Sequence, residues 1–102
     1  MEQKSCDEVR EVLALIGEKW SLLTLFELRD GSVRFNELRR MLSPITQRML
    51  SASLRNLESG GLVTRTVYPT VPPQVEYAAT TAGKDLLAIV GQVEGWVATY
   101  RT

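Results

Sequence analysis

Arginine is the residue type whose number and spacing in this chain could bind a nucleic acid. The 102 residues carry 12 Lys and Arg, 12 Asp and Glu and no His, so the formal net charge is zero. The charge is uneven, because residues 29–65 hold seven basic and three acidic side chains and residues 1–28 hold three basic and six acidic ones. All seven basic residues of the middle segment are arginines, whose planar guanidinium groups suit phosphate oxygens and guanine edges. A solvated surface with cations clustered by chance explains this distribution equally well.

Cys6 is the one cysteine and the one thiol that could react. Ser5 and Glu8 fit the S-x-x-E pattern of a helix start, which would place Cys6 at the first helical position, where a thiolate is stabilised. Asp7 and Glu8 oppose that effect, because neighbouring negative charge raises the pKa of a thiol. The available reactions are a disulfide with a second copy, a mixed disulfide with a small thiol, or an adduct with an electrophile. Cys6 is therefore a redox-sensing candidate, and an unreactive thiol is an equally good interpretation.

The same inventory excludes other classes of chemistry. Without His and with one Cys, the common zinc sites cannot be built within the chain, and the commonest general base is missing. The chain shows no carboxylate pair, no nucleophile–base pair and no phosphate-binding loop. We therefore expect no enzyme activity, no metal and no cofactor. No apolar run approaches the ~20 residues of a membrane span and no signal peptide opens the chain, so we expect a cytoplasmic protein.

Hydrophobic periodicity predicts one domain, residues 1–102, of mainly α structure with a small β-hairpin (an α+β fold) in the order α-α-β-α-α-β-β-α. The predicted helices are at about 5–17, 20–30, 36–42, 46–60 and 81–100, with a brief strand at 33–35 and hairpin strands at 62–68 and 74–79. We expect N-caps at Ser5, Asn36, Thr46 and Thr80. Broad apolar coverage by Leu22, Leu23, Leu25 and Phe26 predicts that the second helix is largely buried.

Residues 36–60 have the spacing of a helix-turn-helix, because about four residues join the third and fourth helices. In that motif the second helix enters the major groove and uses its N-terminal residues on base edges. On helix 46–60, Leu50, Leu54 and Leu57 share one face, and the opposite face holds two arginines and small residues without an acid. That face favours DNA recognition over an ordinary solvated surface, which would mix Lys with Glu.

The hairpin at 62–79 follows directly and is expected to form a wing along the DNA backbone. Its Arg65 is a candidate phosphate contact, although a lone surface cation is nearly as good an interpretation. The full set of residues that we expect at DNA is Arg34, Asn36, Arg39, Arg40, Thr46, Gln47, Arg48, Ser51, Arg55 and Arg65.

The first and last helices, at about 5–17 and 81–100, are expected to form a homodimer interface. The last helix has apolar residues over a wider arc than one small core needs, and Trp96 and Tyr100 would be exposed in a monomer. The alternative is that Trp96 folds back on the first helix. A two-fold dimer would set two recognition helices about 34 Å apart and would read an inverted repeat. The predicted interface residues are Val9, Leu13, Val90, Val93, Trp96, Val97 and Tyr100.

Several of these segments together resemble the HxlR family of bacterial and archaeal winged-helix transcription regulators, relatives of the MarR type. The matching segments are Cys6, I-G-E-K-W at 16–20, R-F-N-E-L-R at 34–39, I-T-Q-R-M-L at 45–50, L-R-N-L-E at 54–58, G-L-V-T-R at 61–65, Tyr68 and P-P-Q-V-E-Y at 72–77. The chain departs from the family pattern at Asp7, where Pro is common, at Glu18, where a second Gly is common, and at Ala79, where Leu is common.

The resemblance implies a homodimeric DNA-binding regulator with the helix from Thr46 in the major groove and the hairpin as wing. It also implies an oxidant or electrophile such as a quinone or aldehyde as an input at Cys6. A winged helix can also serve as a protein-interaction module that never binds DNA. The acid-free arginine face separates the two hypotheses, because an interaction module would more often expose aromatic residues there.

Overall fold

The computed structural model describes residues 2–101 and confirms the predicted order of elements. The helices are α1 (Gln3–Gly17), α2 (Lys19–Glu27), α3 (Phe35–Met41), α4 (Gln47–Ser59) and α5 (Thr81–Tyr100), and the strands are β1 (Val33–Arg34), β2 (Val63–Tyr68) and β3 (Gln74–Ala79). The third to fifth helices match the predicted ranges within about two residues. The fold is a winged helix of five helices and a small antiparallel sheet.

The sheet has three strands in the order β1-β3-β2, so the brief strand β1 extends the predicted hairpin. Val33 of β1 pairs with Tyr77, and Arg65 of β2 pairs with Tyr77 from the other side. Tyr77 is buried, so its face of the sheet lies against the helices, with Val75 and Ala79 packed on the same core. Val75, Tyr77 and Ala79 therefore form the inward face of β3.

The core lies between α2, α3, α4 and the sheet. Leu25, Leu28, Leu38, Leu50 and Leu54 are each no more than 1% exposed. Their spacing along each helix puts them on one stripe, and burying that stripe is the main stabilising contribution to a domain of this size. The orientation of α3 and α4 is therefore fixed by side chains of this chain alone.

The prediction for α2 is partly wrong. The helix begins one residue earlier and ends at Glu27 instead of about Asp30. It buries Ser21, Thr24 and Leu25, while Leu23 is 39% and Phe26 is 42% exposed. The physical reason is that contact with α4 selects the narrower stripe at i, i+3 and i+4, and the remaining apolar side chains have no partner on that side.

Two predicted N-caps are wrong. Ser5 lies inside α1, whose N-cap is Glu2 without a side-chain bond, and Arg34 occupies the N-cap of α3 in place of Asn36. The other two are confirmed, because the hydroxyls of Thr46 and Thr80 accept hydrogen bonds from the backbone N–H groups of Met49 and Gly83.

Helix α5 contacts the rest of the fold through its first half. Gly83 lies so close to β2 that a Cβ there would be 2.2 Å from the Leu62 carbonyl oxygen, and Leu86 and Leu87 pack against the core. From Gly91 onward every residue of the helix is exposed. Among the described helices, none is long and apolar enough to cross a membrane.

Candidate nucleic-acid interface

Helix α4 is positioned to present its N-terminal half to a ligand. The Thr46 hydroxyl accepts a 3.1 Å hydrogen bond from the Met49 N–H and so closes the first turn. Because a hydroxyl that accepts a bond still has its own proton, Thr46 can donate to a phosphate while it caps the helix. Leu50, Leu54 and Leu57 are buried on the opposite side, which holds the outward face in one orientation.

The outward face of α4 carries the predicted arginines. Arg48, Ala52 and Arg55 are exposed and Ser51 is partly buried. A rise of 1.5 Å per residue puts Arg48 and Arg55 about 10 Å apart along the helix axis, on the same side. The small residues between them let a groove edge approach the backbone closely, so the two guanidinium groups can both reach one stretch of duplex.

A groove of about 900 Å³ runs between α3, the start of α4 and the sheet. It brings together five of the predicted residues, and Arg39 lines a neighbouring recess of about 480 Å³. The predicted residues in the groove are Arg34, Asn36, Arg40, Gln47 and Ser51. Thr46, Arg48, Arg55 and Arg65 lie outside it. The residues predicted to contact DNA therefore divide into those that line the groove or its neighbouring recess and those that lie outside both.

The two arginines of α3 are in different electrostatic situations. Arg40 forms an ion pair with Glu37 one turn earlier, whereas Arg39 is in no ion pair among residues 2–101. Both lie in the last turn of α3, where positive charge also stabilises the helix end. Arg39 can therefore bind a phosphate without breaking an ion pair, whereas Arg40 must first leave Glu37.

The structure does not bring Arg34 and Arg65 together. Arg34 pairs in register with Glu76, and Arg65 pairs with Tyr77. Successive residues of a strand point to opposite faces, so the two arginines lie on opposite faces of the sheet and on its two opposite edges. Arg65 is exposed on the face that carries buried Tyr77. Arginines on opposite faces and edges of the sheet do not suit contact with a single row of phosphates. We therefore expect Arg34 and Arg65 to contact different parts of a ligand.

The predicted dimer residues line neither the groove nor the neighbouring recess. Leu13 is 57%, Trp96 is 54% and Tyr100 is 71% exposed, and the rings of Trp96 and Tyr100 contact each other with centroids 5.3 Å apart. Val9, Val93 and Val97 are also exposed, and Val90 is partly buried.

Cys6 is partly buried and lies within α1, not at its first position, because its N–H already donates to the Glu2 carbonyl at 2.9 Å. The argument for a thiolate at a helix N-terminus therefore fails.

Sequence reasoning missed the wing side of the groove. Ser32, Pro72, Pro73, Gln74 and Glu76 line it opposite α3 and α4. The signal was the alternation of β3, in which the polar residues Gln74 and Glu76 alternate with Val75 and Tyr77. Such an alternation indicates that Gln74 and Glu76 share one face of the strand, but it does not indicate which helices lie opposite that face. Among residues 2–101, no three or more Cys, Asp or Glu side chains come together as metal ligands.

Comparison with known proteins places this chain in a family. The model of the HxlR-like helix-turn-helix family matches residues 15–102. An uncharacterized HTH-type transcriptional regulator of Methanothermobacter thermautotrophicus is 49% identical over 85 residues, which are 83% of this chain and 65% of that protein. The chain thus spans just under two thirds of that relative's length.

Solved structures agree with the sequence comparison. A structure assigned to the MarR family of transcriptional regulators, from Enterococcus faecalis, has a TM-score of 0.85 at 35% identity and covers 98% of this chain and 89% of that one. The reduced form of the redox regulator HypR has a TM-score of 0.77 at 47% identity and covers 91% of this chain and 92% of that one. The chain therefore belongs to the HxlR-like helix-turn-helix family of transcriptional regulators.

Proposed function

We propose that this regulator acts as a homodimer that reads an inverted-repeat operator, with α4 in the major groove and the β2–β3 hairpin as a wing on the backbone. The observation that carries the proposal is the exposed face of α4, where Arg48 and Arg55 flank small residues and no acid. Guanidinium groups on a helix held by three buried leucines fit the guanine edges and phosphates of a duplex.

A second copy of the chain is the partner that the apolar helices suit. Leu13 on α1 and Val93 and Trp96 on α5 are more than half exposed, and apolar side chains clustered at this level favour burial against another chain. A two-fold axis through these helices would repeat the recognition surface at about one turn of DNA, about 34 Å. The dimer helices and the domain limits 1–102 remain parts of this proposal.

The test is binding of the reduced protein to the intergenic DNA upstream of its own gene, against a scrambled competitor, over a range of salt concentrations. We expect specific binding with a steep negative slope of log K against log salt, because each neutralised phosphate releases counterions. A footprint would then give the symmetry of the operator. Equal, weak binding to both DNAs at every salt concentration would contradict operator recognition at that locus and favour a winged helix that binds protein.

We further propose a redox or electrophile input at Cys6. The likeness to the redox regulator HypR supports this input, and so does the position of Cys6 on α1, one of the two helices assigned to the dimer. Two Cys6 thiols that join in a disulfide lose two protons and two electrons to the oxidant, and an electrophile would instead add to the sulfur. Either change alters the packing of α1 and so the spacing of the two recognition helices.

Replacement of Cys6 by Ser tests this input. We expect C6S to bind the operator like the reduced wild type and to lose any change in affinity after diamide treatment, because no other thiol is present in the chain. Wild type treated with diamide and then with a reductant is the matched control. If C6S responds to diamide as wild type does, Cys6 is not the sensor.

The remaining parts of the proposal concern place and chemistry. We assign the protein to the cytoplasm, where a bacterial or archaeal operator lies. We also assign it no catalytic activity, no metal and no cofactor, because the sequence has no His, one Cys and no nucleophile–base pair.

A further inference from the structure

The turn between α4 and β2 lies at the end of the helix that is proposed to enter DNA. Gly60 is the C-cap of α4, and the Leu62 N–H donates to the Leu57 carbonyl at 2.9 Å, so residue 62 is still bonded to the last turn of that helix. Gly61 has a φ of +76°, in the left-handed region that favours glycine. The turn is therefore a fixed extension of α4.

The start of α5 is bonded to the same turn. The Thr80 N–H donates to the Leu62 carbonyl at 3.0 Å, and the Thr80 hydroxyl donates to the Gly61 carbonyl at 2.7 Å. The same hydroxyl accepts a 3.0 Å bond from the Gly83 N–H, which closes the first turn of α5. These bonds connect the first turn of α5, a helix assigned to the dimer, to the end of α4.

Gly83 lets the two segments approach more closely than any other residue type would allow. It is buried, and a Cβ there would lie 2.2 Å from the Leu62 carbonyl oxygen, whereas an ordinary contact is 3.4–4 Å. The obstacle is a backbone atom, so rotation of a side chain cannot relieve it. Alanine at this position would therefore force the backbones of α5 and the turn apart by about 1 Å.

A displacement at Gly83 grows along α5. Leu86 and Leu87 pack against the core, and every residue from Gly91 to Tyr100 is exposed. At 1.5 Å per residue, Gly83 is about 6 Å from Leu87 in one direction and Trp96 is about 13 Å from it in the other. A tilt about Leu87 that moves Gly83 by about 1 Å thus moves Trp96 by about 2 Å. The packing at Gly83 sets the direction in which the exposed half of α5 leaves the domain.

We propose that residues 60–62, 80 and 83 form a joint that fixes the angle between α4 and α5, and that Gly83 thereby determines which spacing of operator half-sites the dimer binds. Gly83 is a positioning residue, because it is buried and acts through the direction of α5. The proposal rests on the homodimer and the DNA-binding function proposed above. The packing of two copies sets the distance between their recognition helices, and the joint fixes what each copy contributes to it.

Helix α1 meets the joint less tightly, which supplies a comparison. A Cβ at Gly60 would lie 3.0 Å from Cδ2 of Leu15. Leu15 is partly buried, and the far end of its side chain can turn aside. Alanine at residue 60 should therefore leave the helices where they are, although it adds the same methyl group to the same joint.

The spacing preference of operator binding measures the angle. The operator located by the footprint is rebuilt with its half-sites moved together or apart by one or two base pairs, and a second duplex carries a single half-site. We expect G83A to bind the single half-site within about threefold of wild type, because the face of α4 is unchanged. On the natural spacing it should bind about tenfold more weakly or worse, because the DNA must deform to fit.

G83A should then bind best at an altered spacing. A shift of about 2 Å in each of two subunits is comparable to the ~3.4 Å rise of one base pair, so the preferred spacing should change by one or two base pairs. G60A and G95A are the matched controls and should keep the wild-type preference. A Cβ at Gly95 meets nothing within 4 Å, and Gly95 lies about 180° from Leu86 around the helix.

A second variant covers the case in which G83A does not fold, which circular dichroism and loss of half-site binding would show. T80V keeps the volume of the side chain but removes the hydroxyl that bonds Gly61 and Gly83. Loss of this cap loosens the first turn of α5. T80V should bind the half-site like wild type and lower the ratio of affinities for the best and next-best spacings by about fivefold.

The outcomes separate this inference from the proposed function. If the wild-type protein does not distinguish its operator from scrambled DNA, the proposed function fails and the inference fails with it. If wild type binds its operator and a folded G83A keeps the wild-type spacing preference, the joint does not set the spacing and the inference alone is wrong. It is equally wrong if T80V keeps the wild-type ratio, or if G60A or G95A shifts the preference as G83A does.

Discussion

Helix α4 and the α1–α5 region make opposite use of apolar side chains. In α4, Leu50, Leu54 and Leu57 are each no more than 1% exposed, so its orientation is set within one chain. In α1 no residue from Gln3 to Gly17 is buried, and the second half of α5 is exposed throughout. Both regions carry apolar residues, but α4 buries its leucines whereas α1 buries none of its residues.

This difference separates two properties on which operator recognition depends, the shape of the contacting surface and the distance between its two copies. The surface that would contact a half-site is preformed, because the buried leucines and the Thr46 cap position it without help. The distance between two half-sites is not set by one chain, because the helices that would set it have their apolar faces in solvent. A signal that alters α1 or α5 can therefore change operator affinity without any change in α4.

The largest expected effect comes from a core residue of α4. Leu54→Ala removes a side chain that is 1% exposed, and such truncations lower the free energy of unfolding by about 2–5 kcal/mol. Urea denaturation at a fixed protein concentration measures it. Arg55→Ala, the exposed neighbour, is the matched control and should change stability by less than about 0.5 kcal/mol. Equal effects of the two variants would show that α4 is not anchored by its leucine face.

A truncation on the exposed face of α5 should act on association instead. Trp96 is 54% exposed, and loss of a central aromatic residue from an interface weakens binding by about 2 kcal/mol or more, which is about a thirtyfold rise in the dimer Kd. Sedimentation equilibrium of Trp96→Ala over a range of concentrations measures this shift. Lys84→Ala, an exposed residue about 120° from Trp96 around the same helix, should associate like wild type.

The same variant also tests the alternative location of Trp96. If Trp96 folds back on its own α1, Trp96→Ala lowers the free energy of unfolding by the same amount at every protein concentration and leaves the oligomeric state unchanged. That result would remove the contrast between the two regions, because α5 would then be anchored within one chain as α4 is.

A change on the outward face of α4 should affect DNA without affecting folding. Arg48→Ala should weaken operator binding by about 1–3 kcal/mol and relax the preference at one base pair. Competition binding against operators altered at single positions measures both effects. Arg29→Ala, just after the C-terminal end of α2 and in an ion pair with Asp30, is the control and should bind like wild type. An equal loss on every DNA sequence would make Arg48 a phosphate contact alone.

The periodic patterns explain why most of the fold and the α4 face could be predicted from the sequence. The spacing of Leu50, Leu54 and Leu57 specifies a helix and its buried side together, and the alternation from Val75 to Ala79 does the same for a strand. The pattern failed on α2, where Leu23 and Phe26 are apolar but exposed. Periodicity states which side chains avoid water, and it does not state whether their partner belongs to the same chain.

Contacts between distant segments were beyond prediction. The Ser32 hydroxyl donates to Glu76, which is 44 residues further along the chain, and the pairing of β1 with β3 brings the two residues together. Helix caps could be predicted only in part, unlike the periodic faces, which could be predicted, and the distant contacts, which could not. Thr46 and Thr80 were visible as hydroxyl residues before apolar repeats, whereas Glu18 was overlooked as a cap because Glu is seldom found at that position.

Glu18 joins the exposed α1 to the buried α2, and its removal should have the smallest of these effects. Its carboxylate accepts hydrogen bonds from the N–H groups of Trp20 at 3.1 Å and Ser21 at 2.7 Å. Burial alone would raise the pKa of this carboxyl group, but the hydrogen bonds outweigh burial and hold the pKa below its ordinary value of 4.5. Glu18→Ala should lower the free energy of unfolding by about 1 kcal/mol at neutral pH, as the loss of an N-cap does.

The pH dependence of that loss gives the sharper measurement. A carboxyl group whose pKa is lower in the folded state stabilises the fold fully above the unfolded pKa, and the contribution disappears as the pH falls through the folded pKa. The difference between wild type and Glu18→Ala should therefore be constant above about pH 6 and shrink as the pH falls below 4.5. Glu18→Gln keeps an acceptor oxygen and should fall between the two at neutral pH. A difference that stays constant to pH 3 would mean that Glu18 contributes through packing, and that the junction of α1 and α2 is held by contacts other than its charge.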